Sequence, residues 1–153
     1  MERFKVLLVD DEEEFIRSLA ERLSLRELGS DTVYDGEQAL SFVNRQEPDV
    51  MVLDLKMPGI DGMEVLRQVK KTYPDIQVII LTGHGTKQHE DEARRLGAFD
   101  YMEKPVNIDV LVRSMRAAFK QKMENKTIRK TAFGEPTEFL SAKAPIKQDQ
   151  GKA

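Results

Sequence analysis

Five short strand-like runs, three of them built on four consecutive apolar residues, alternate with segments of helical periodicity. The runs are Lys5 to Val9, Thr32 to Tyr34, Val50 to Leu53, Ile76 to Leu81 and Ala98 to Met102. Strands that are apolar on both sides belong to a sheet covered on both faces. The intervening segments space their apolar residues at the period of one helix face. Phe15, Ile16, Leu19 and Leu23 do so first, then Ala39, Leu40, Phe42 and Val43, then Met63, Leu66 and Val69. A fourth helix, Lys87 to Leu96, offers little beyond Ala93 and Leu96. A last one follows Asn107 as its cap, with Ile108, Leu111, Val112, Met115, Ala118, Phe119 and Met123 on one face. Gly29, Pro48, Pro74 and Gly97 punctuate the pattern. Strict alternation of strand and helix predicts an α/β fold with a parallel sheet, wound by right-handed crossovers.

The 153 residues are enough for one domain with a core of its own. No cysteine is present, so there is no disulfide and no thiolate metal site. The chain shows no signal peptide and no apolar run of membrane-spanning length, and a cytoplasmic protein without membrane insertion is expected. The net charge of -3 is unevenly spread. From Asn125 onward six basic residues face three acidic ones, which leaves -6 on the body. An acidic body argues against direct DNA binding. The polar segment 125–153, with Gly134, Pro136, Pro145 and Gly151, is expected to be a disordered tail on a domain spanning 1–124. Phe133, Phe139 and Leu140 within it are candidates for a docking peptide.

Parallel strands gather their C-termini on one sheet edge, where ligands bind. Four runs here end in reactive residues: Asp10-Asp11, Asp54, Thr82, and Lys104-Pro105. Carboxylates at neighbouring strand ends suit Mg2+, a hard cation that takes oxygen ligands. Beside it a carboxylate serves as nucleophile toward phosphorus, and an ammonium and a hydroxyl steady the equatorial oxygens. Taken singly, each residue also has a plainer reading. Asp10-Asp11 caps a helix, Asp54 is a strand-end carboxylate, Thr82 is a β-branched strand residue, Lys104 is a surface lysine, and Tyr101 is a core aromatic. His84 and His89 lack the partners of a metal or phosphohistidine site and read as loop or surface residues. Met51, Met63, Met115 and Met123 read as core filler.

The elements Val9-Asp10-Asp11, Leu53-Asp54-Leu55-Lys56-Met57-Pro58-Gly59, Leu81-Thr82-Gly83 and Lys104-Pro105 occur in order. Their spacings are 43 residues from Asp11 to Asp54, 28 on to Thr82 and 22 on to Lys104. Together they resemble the receiver domain of two-component response regulators over about residues 3 to 123. Thr82-Gly83-His84-Gly85 is most like receivers of NtrC-type activators and hybrid kinases. The resemblance implies a flavodoxin-like (βα)5 sandwich with strand order 2-1-3-4-5. It implies that Asp54 accepts a phosphoryl group from a sensor histidine kinase or phosphotransfer protein. Mg2+ would lie on Asp10, Asp11, Asp54 and the backbone carbonyl of Lys56, with Thr82 and Lys104 on the phosphoryl group. Tyr101 matches the switch aromatic, and the Lys104-Pro105 bond would be cis.

The implied protein is a stand-alone, phosphorylation-controlled switch, a monomer or a phosphorylation-dependent dimer. It would signal to a separate effector protein and would not be an enzyme acting on a separate substrate. The weakly apolar Lys87–Leu96 helix is expected to move with Thr82 and Tyr101 on phosphorylation. One rival is an aspartyl-nucleophile phosphohydrolase of the haloacid-dehalogenase type, which places an acid where this chain has Lys56. A phosphate-independent adaptor is another.

Overall fold

The computed structural model describes residues 3–133. Five strands, β1 (Val6–Val9), β2 (Asp31–Val33), β3 (Val50–Leu53), β4 (Gln77–Thr82) and β5 (Asp100–Glu103), alternate with five helices. The helices are α1 (Glu13–Ser24), α2 (Gly36–Arg45), α3 (Gly62–Thr72), α4 (Lys87–Arg95) and α5 (Ile108–Phe133). The strands form one sheet of order β2-β1-β3-β4-β5, and every pairing is parallel. This is the expected doubly wound, flavodoxin-like architecture.

The period of two along each strand sorts the core into two layers. Val6, Leu8, Val50, Val52, Ile79 and Leu81 face one side, where Ile16, Leu19 and Leu23 of α1 meet Leu111, Val112, Met115 and Ala118 of α5. Leu7, Val9, Met51, Leu53, Val78 and Ile80 face the other, under Ala39 and Val43 of α2, Val65, Leu66 and Val69 of α3, and Ala93 of α4. Burying each large apolar side chain contributes roughly 1.5–3 kcal/mol. Helix starts are fixed by side chains. Asp35 accepts from the Gln38 N–H at 2.8 Å, Asp61 from the Glu64 N–H at 3.0 Å, and Asn107 from the Asp109 and Val110 N–H groups.

Several expectations need correction. α1 ends at Ser24, capped by Leu25 as its apolar spacing implies, but Gly29 is not its stop: the left-handed residue behind it is Glu27, at φ 64°. The chain turns there because the Leu28 N–H returns to the Leu23 carbonyl and brings Leu28 into the core. β5 begins at Asp100, since only from there does it pair residue for residue with β4. The last helix does not stop at Glu124. No glycine or proline interrupts 125–133, and Arg129 bonds Asp75 at 2.8 Å, so helix continues to Phe133. Just before that overrun Met123 is exposed, whereas Lys122 is buried against Asp49. A lysine with a carboxylate partner is turned inward here, in place of the expected Met123. The remainder of the expected tail, including Phe139 and Leu140, lies outside the described residues.

Candidate functional site

Backbone hydrogen bonds one step beyond the paired strand ends bring the candidate residues together. Val9 is the register partner of Leu53, so Asp10 and Asp54 follow side by side. The Asp54 N–H bonds the Val9 carbonyl at 3.0 Å, and the Asp10 N–H bonds Val33 at 3.2 Å. On the other flank the Lys104 N–H bonds the Thr82 carbonyl at 3.0 Å and closes the β4–β5 end. Under the Asp54 loop the Gly62 N–H bonds Leu55, and a β-carbon at Gly62 would collide with the Asp54 carbonyl. The Lys104-Pro105 peptide is cis.

Asp10, Asp54 and Thr82 are buried, while Asp11 is exposed at the rim. One carboxylate oxygen from each of Asp10, Asp11 and Asp54 lies within 4.8 Å of the others. The Lys104 ammonium reaches in from β5. It stands 2.7 Å from Asp10 Oδ2, 2.6 Å from Glu12 Oε1 and 3.9 Å from Asp54 Oδ2, with the Phe15 ring 4.3 Å from its nitrogen. Asp54 Oδ1 is buried and accepts no hydrogen bond. Such an atom is costly to leave unpaired, and an oxygen-only donor set with one orphaned lone-pair carrier fits a hard cation.

The electrostatics agree with this crowding. Burial pushes the Asp54 carboxyl above its ordinary value, and the Lys104 ammonium and the Thr82 hydroxyl only partly offset it. Burial likewise raises Asp10, against the pull of Lys104 and the Glu12 N–H. Burial also works against the charge of Lys104, but the Asp10 and Glu12 carboxylates outweigh it and hold its pKa above the ordinary value. Glu12 is lowered by its hydrogen bond to Lys104.

Asp10 does not cap α1; its Oδ1 accepts from the Glu12 N–H at 2.9 Å, and Glu12, the N-cap, uses its side chain on Lys104 instead. Thr82 lies at the sheet edge with its hydroxyl accepting from the His84 N–H at 3.3 Å. Tyr101 packs inward against the α2–α3–α4 layer. Its hydroxyl is buried without a partner, over Gly85, where a β-carbon would collide with it. The Lys56 side chain is exposed. His89 has a structural role: its ring accepts from the Thr86 N–H while the Thr86 hydroxyl accepts from the His89 N–H, a reciprocal cap on α4. Sequence reasoning missed Glu12 and Phe15 as neighbours of Lys104. Glu12 stands 92 residues from Lys104, and no spacing rule joins them.

A family model described as the response regulator receiver domain matches residues 6–116. The chain is 40% identical over 128 residues to the C4-dicarboxylate transport transcriptional regulatory protein DctD of Pseudomonas aeruginosa. That match covers 82% of this chain and 28% of that protein. It is 33% identical over 149 residues to the DNA-binding transcriptional regulator NtrC of Klebsiella pneumoniae, covering 97% of this chain and 32% of the relative. The chain thus spans less than a third of the length of either. Among solved structures, NtrX from Brucella abortus superposes with a TM-score of 0.78 at 29% identity, over 85% of this chain and 30% of that one. The signal receiver domain of a putative LuxO repressor protein from Vibrio parahaemolyticus gives 0.77 at 29%, over 83% and 98%.

Proposed function

The chain belongs to the response regulator receiver family of two-component signalling, and from that premise we propose that Asp54 is its phosphoacceptor. The observation that carries the reading is Asp54 Oδ1, buried and unpartnered between the strand ends that deliver Asp10, Thr82 and Lys104. In the proposed reaction an Asp54 oxygen attacks the phosphorus of a phosphohistidine on a sensor kinase or phosphotransfer protein. The O–P bond forms as the P–N bond breaks, and the imidazole nitrogen leaves with the bonding pair and takes up a proton. Lys104 and Thr82 hold the phosphoryl oxygens, and Thr82 turns from the His84 N–H to do so. Asp10, Asp11, Asp54 and the Lys56 carbonyl would hold Mg2+. When bound it supplies the positive charge that lets a phosphoryl group approach so acidic a site. Attack of water on phosphorus returns the free carboxylate and inorganic phosphate, so the domain acts on itself rather than on a separate substrate.

The added charge of about -1.5 to -2 biases a two-state element. In this reading that element is the β4–α4 loop with α4, whose one buried residue is Ala93, together with Tyr101. The output is contact with an effector protein, by a monomer or a phosphorylation-dependent dimer, in the cytoplasm. Among the described residues no helix is long and apolar enough to cross a membrane. The DNA binding in the NtrC relatives' name belongs to proteins of which this chain spans about a third, and it is not extended to these residues. The phosphohydrolase reading finds no support at Lys56. Incubation with acetyl phosphate and Mg2+ tests the site. Labelling is expected to be stoichiometric and absent in Asp54→Asn, and equal labelling of that variant would overturn the assignment.

A further inference from the structure

Lys104 offers three N–H donors, and two are committed before any phosphoryl group arrives: one to buried Asp10 at 2.7 Å, one to Glu12 at 2.6 Å. Its distance of 3.9 Å from Asp54 Oδ2 is beyond hydrogen-bond reach. The two partners differ. Asp10 is buried, and its second oxygen is occupied by the Glu12 N–H. The Glu12 side chain is 57% exposed and makes no helix-capping bond, so water readily replaces Lys104 as its partner. The ring of Phe15, one turn away on α1, lies 4.3 Å from the same ammonium and confines it on that side. Glu12 is therefore the releasable member of the set, and it pulls the ammonium toward the rim.

We propose that Glu12 is a positioning residue that restrains Lys104 in a resting place and slows its engagement with the phosphoryl group. The inference rests on the assignment of Asp54 as phosphoacceptor. On it, Glu12→Ala raises the rate of labelling by acetyl phosphate by about twofold to fivefold, the size of releasing one exposed ion pair. A general relief of negative charge at the mouth would also raise the rate, but independently of Lys104. The decisive measurement is therefore a double-mutant cycle with Lys104→Met, with Glu12→Asp and Glu12→Gln as further variants. The gain from Glu12→Ala is expected to vanish in the Lys104→Met background, and Glu12→Asp to restore slow labelling in part. In the metal-free protein, water exchange of the Lys104 Nζ protons, read by NMR, is expected to quicken in Glu12→Ala while the Asp10 contact persists. An unchanged rate in both Glu12→Ala and Glu12→Gln overturns the proposal. So does an equal gain with and without Lys104, or unaltered Nζ exchange. Labelling lost in Asp54→Asn together with silence at Glu12 would overturn this inference alone, whereas labelling that survives in Asp54→Asn would remove the reading beneath it.

Discussion

The two edges of the sheet carry the same chemical groups in opposite balance. At the N-terminal edge two carboxylates, Asp49 and Asp75, each meet a cation. Asp49 accepts from the Lys5 N–H at 2.7 Å and from buried Lys122, and Arg129 meets Asp75 at 2.8 Å. At the C-terminal edge three acids, Asp10, Glu12 and Asp54, gather around Lys104 with Asp11 beside Asp10 and Asp54, and a buried oxygen of Asp54 has no partner. The first arrangement fastens the overrunning end of α5 to the sheet. The second leaves a buried carboxylate oxygen uncompensated, the feature on which the proposed site rests. Burial raises Asp10 and Asp54 at the upper edge, and it raises Glu47 beside Asp49 as well, so burial by itself does not set the upper edge apart.

Substitutions that break this contrast differ in size. The largest expected loss is at the matched edge. Asp49→Ala strands the Lys122 ammonium and the Lys5 N–H, and should lower unfolding free energy by about 3 kcal/mol in urea titration. Gly62→Ala strikes the upper edge through the backbone, since the new methyl meets the Asp54 carbonyl. A loss of about 1–3 kcal/mol is expected, together with slower phosphoryl labelling. Removing the mismatch acts in the other direction. Asp54→Asn should raise the melting temperature at neutral pH with a chelator present. The sign follows from linkage: the folded-state pKa of Asp54 lies above its ordinary value of 3.8, so the folded protein favours the protonated form. The penalty is absent below 3.8 and complete once pH has risen through the raised value. The gap between Asp54→Asn and the parent should therefore close in melting curves recorded at acid pH. The smallest effect is at Glu27, by the matched edge, where left-handed backbone is strained for a side chain. Glu27→Gly should gain at most about 1 kcal/mol in the same urea titration. A loss there would mean that the Glu27 side chain contributes more than its backbone costs.

Much of the site was legible because it depends on short-range pattern. Asp10, Asp54 and Thr82 stand at the ends of apolar runs. Once the runs are strands of one parallel sheet, the ends must meet. Asn107 was likewise readable as a cap, since capping is settled within four residues. What was not legible depends on distance through space. The Glu12–Lys104 pair, the inward turn of Lys122 beside an outward Met123, and the continuation of α5 past Glu124 all rest on partners 54 to 92 residues away.

The amino-acid sequence by itself determined the alternation of strands and helices, the two apolar layers and the edge on which the acids gather. These follow from periodicity and local stops, which act within a few residues. The tertiary structure alone decided which charges are matched and which are left over. Coulomb attraction and desolvation depend on the ångströms between groups and on the water excluded from them, and neither is written in the order of residues. Asp49 and Asp54 stand five positions apart in the chain, yet one is neutralised by a distant lysine and the other keeps an unpartnered oxygen.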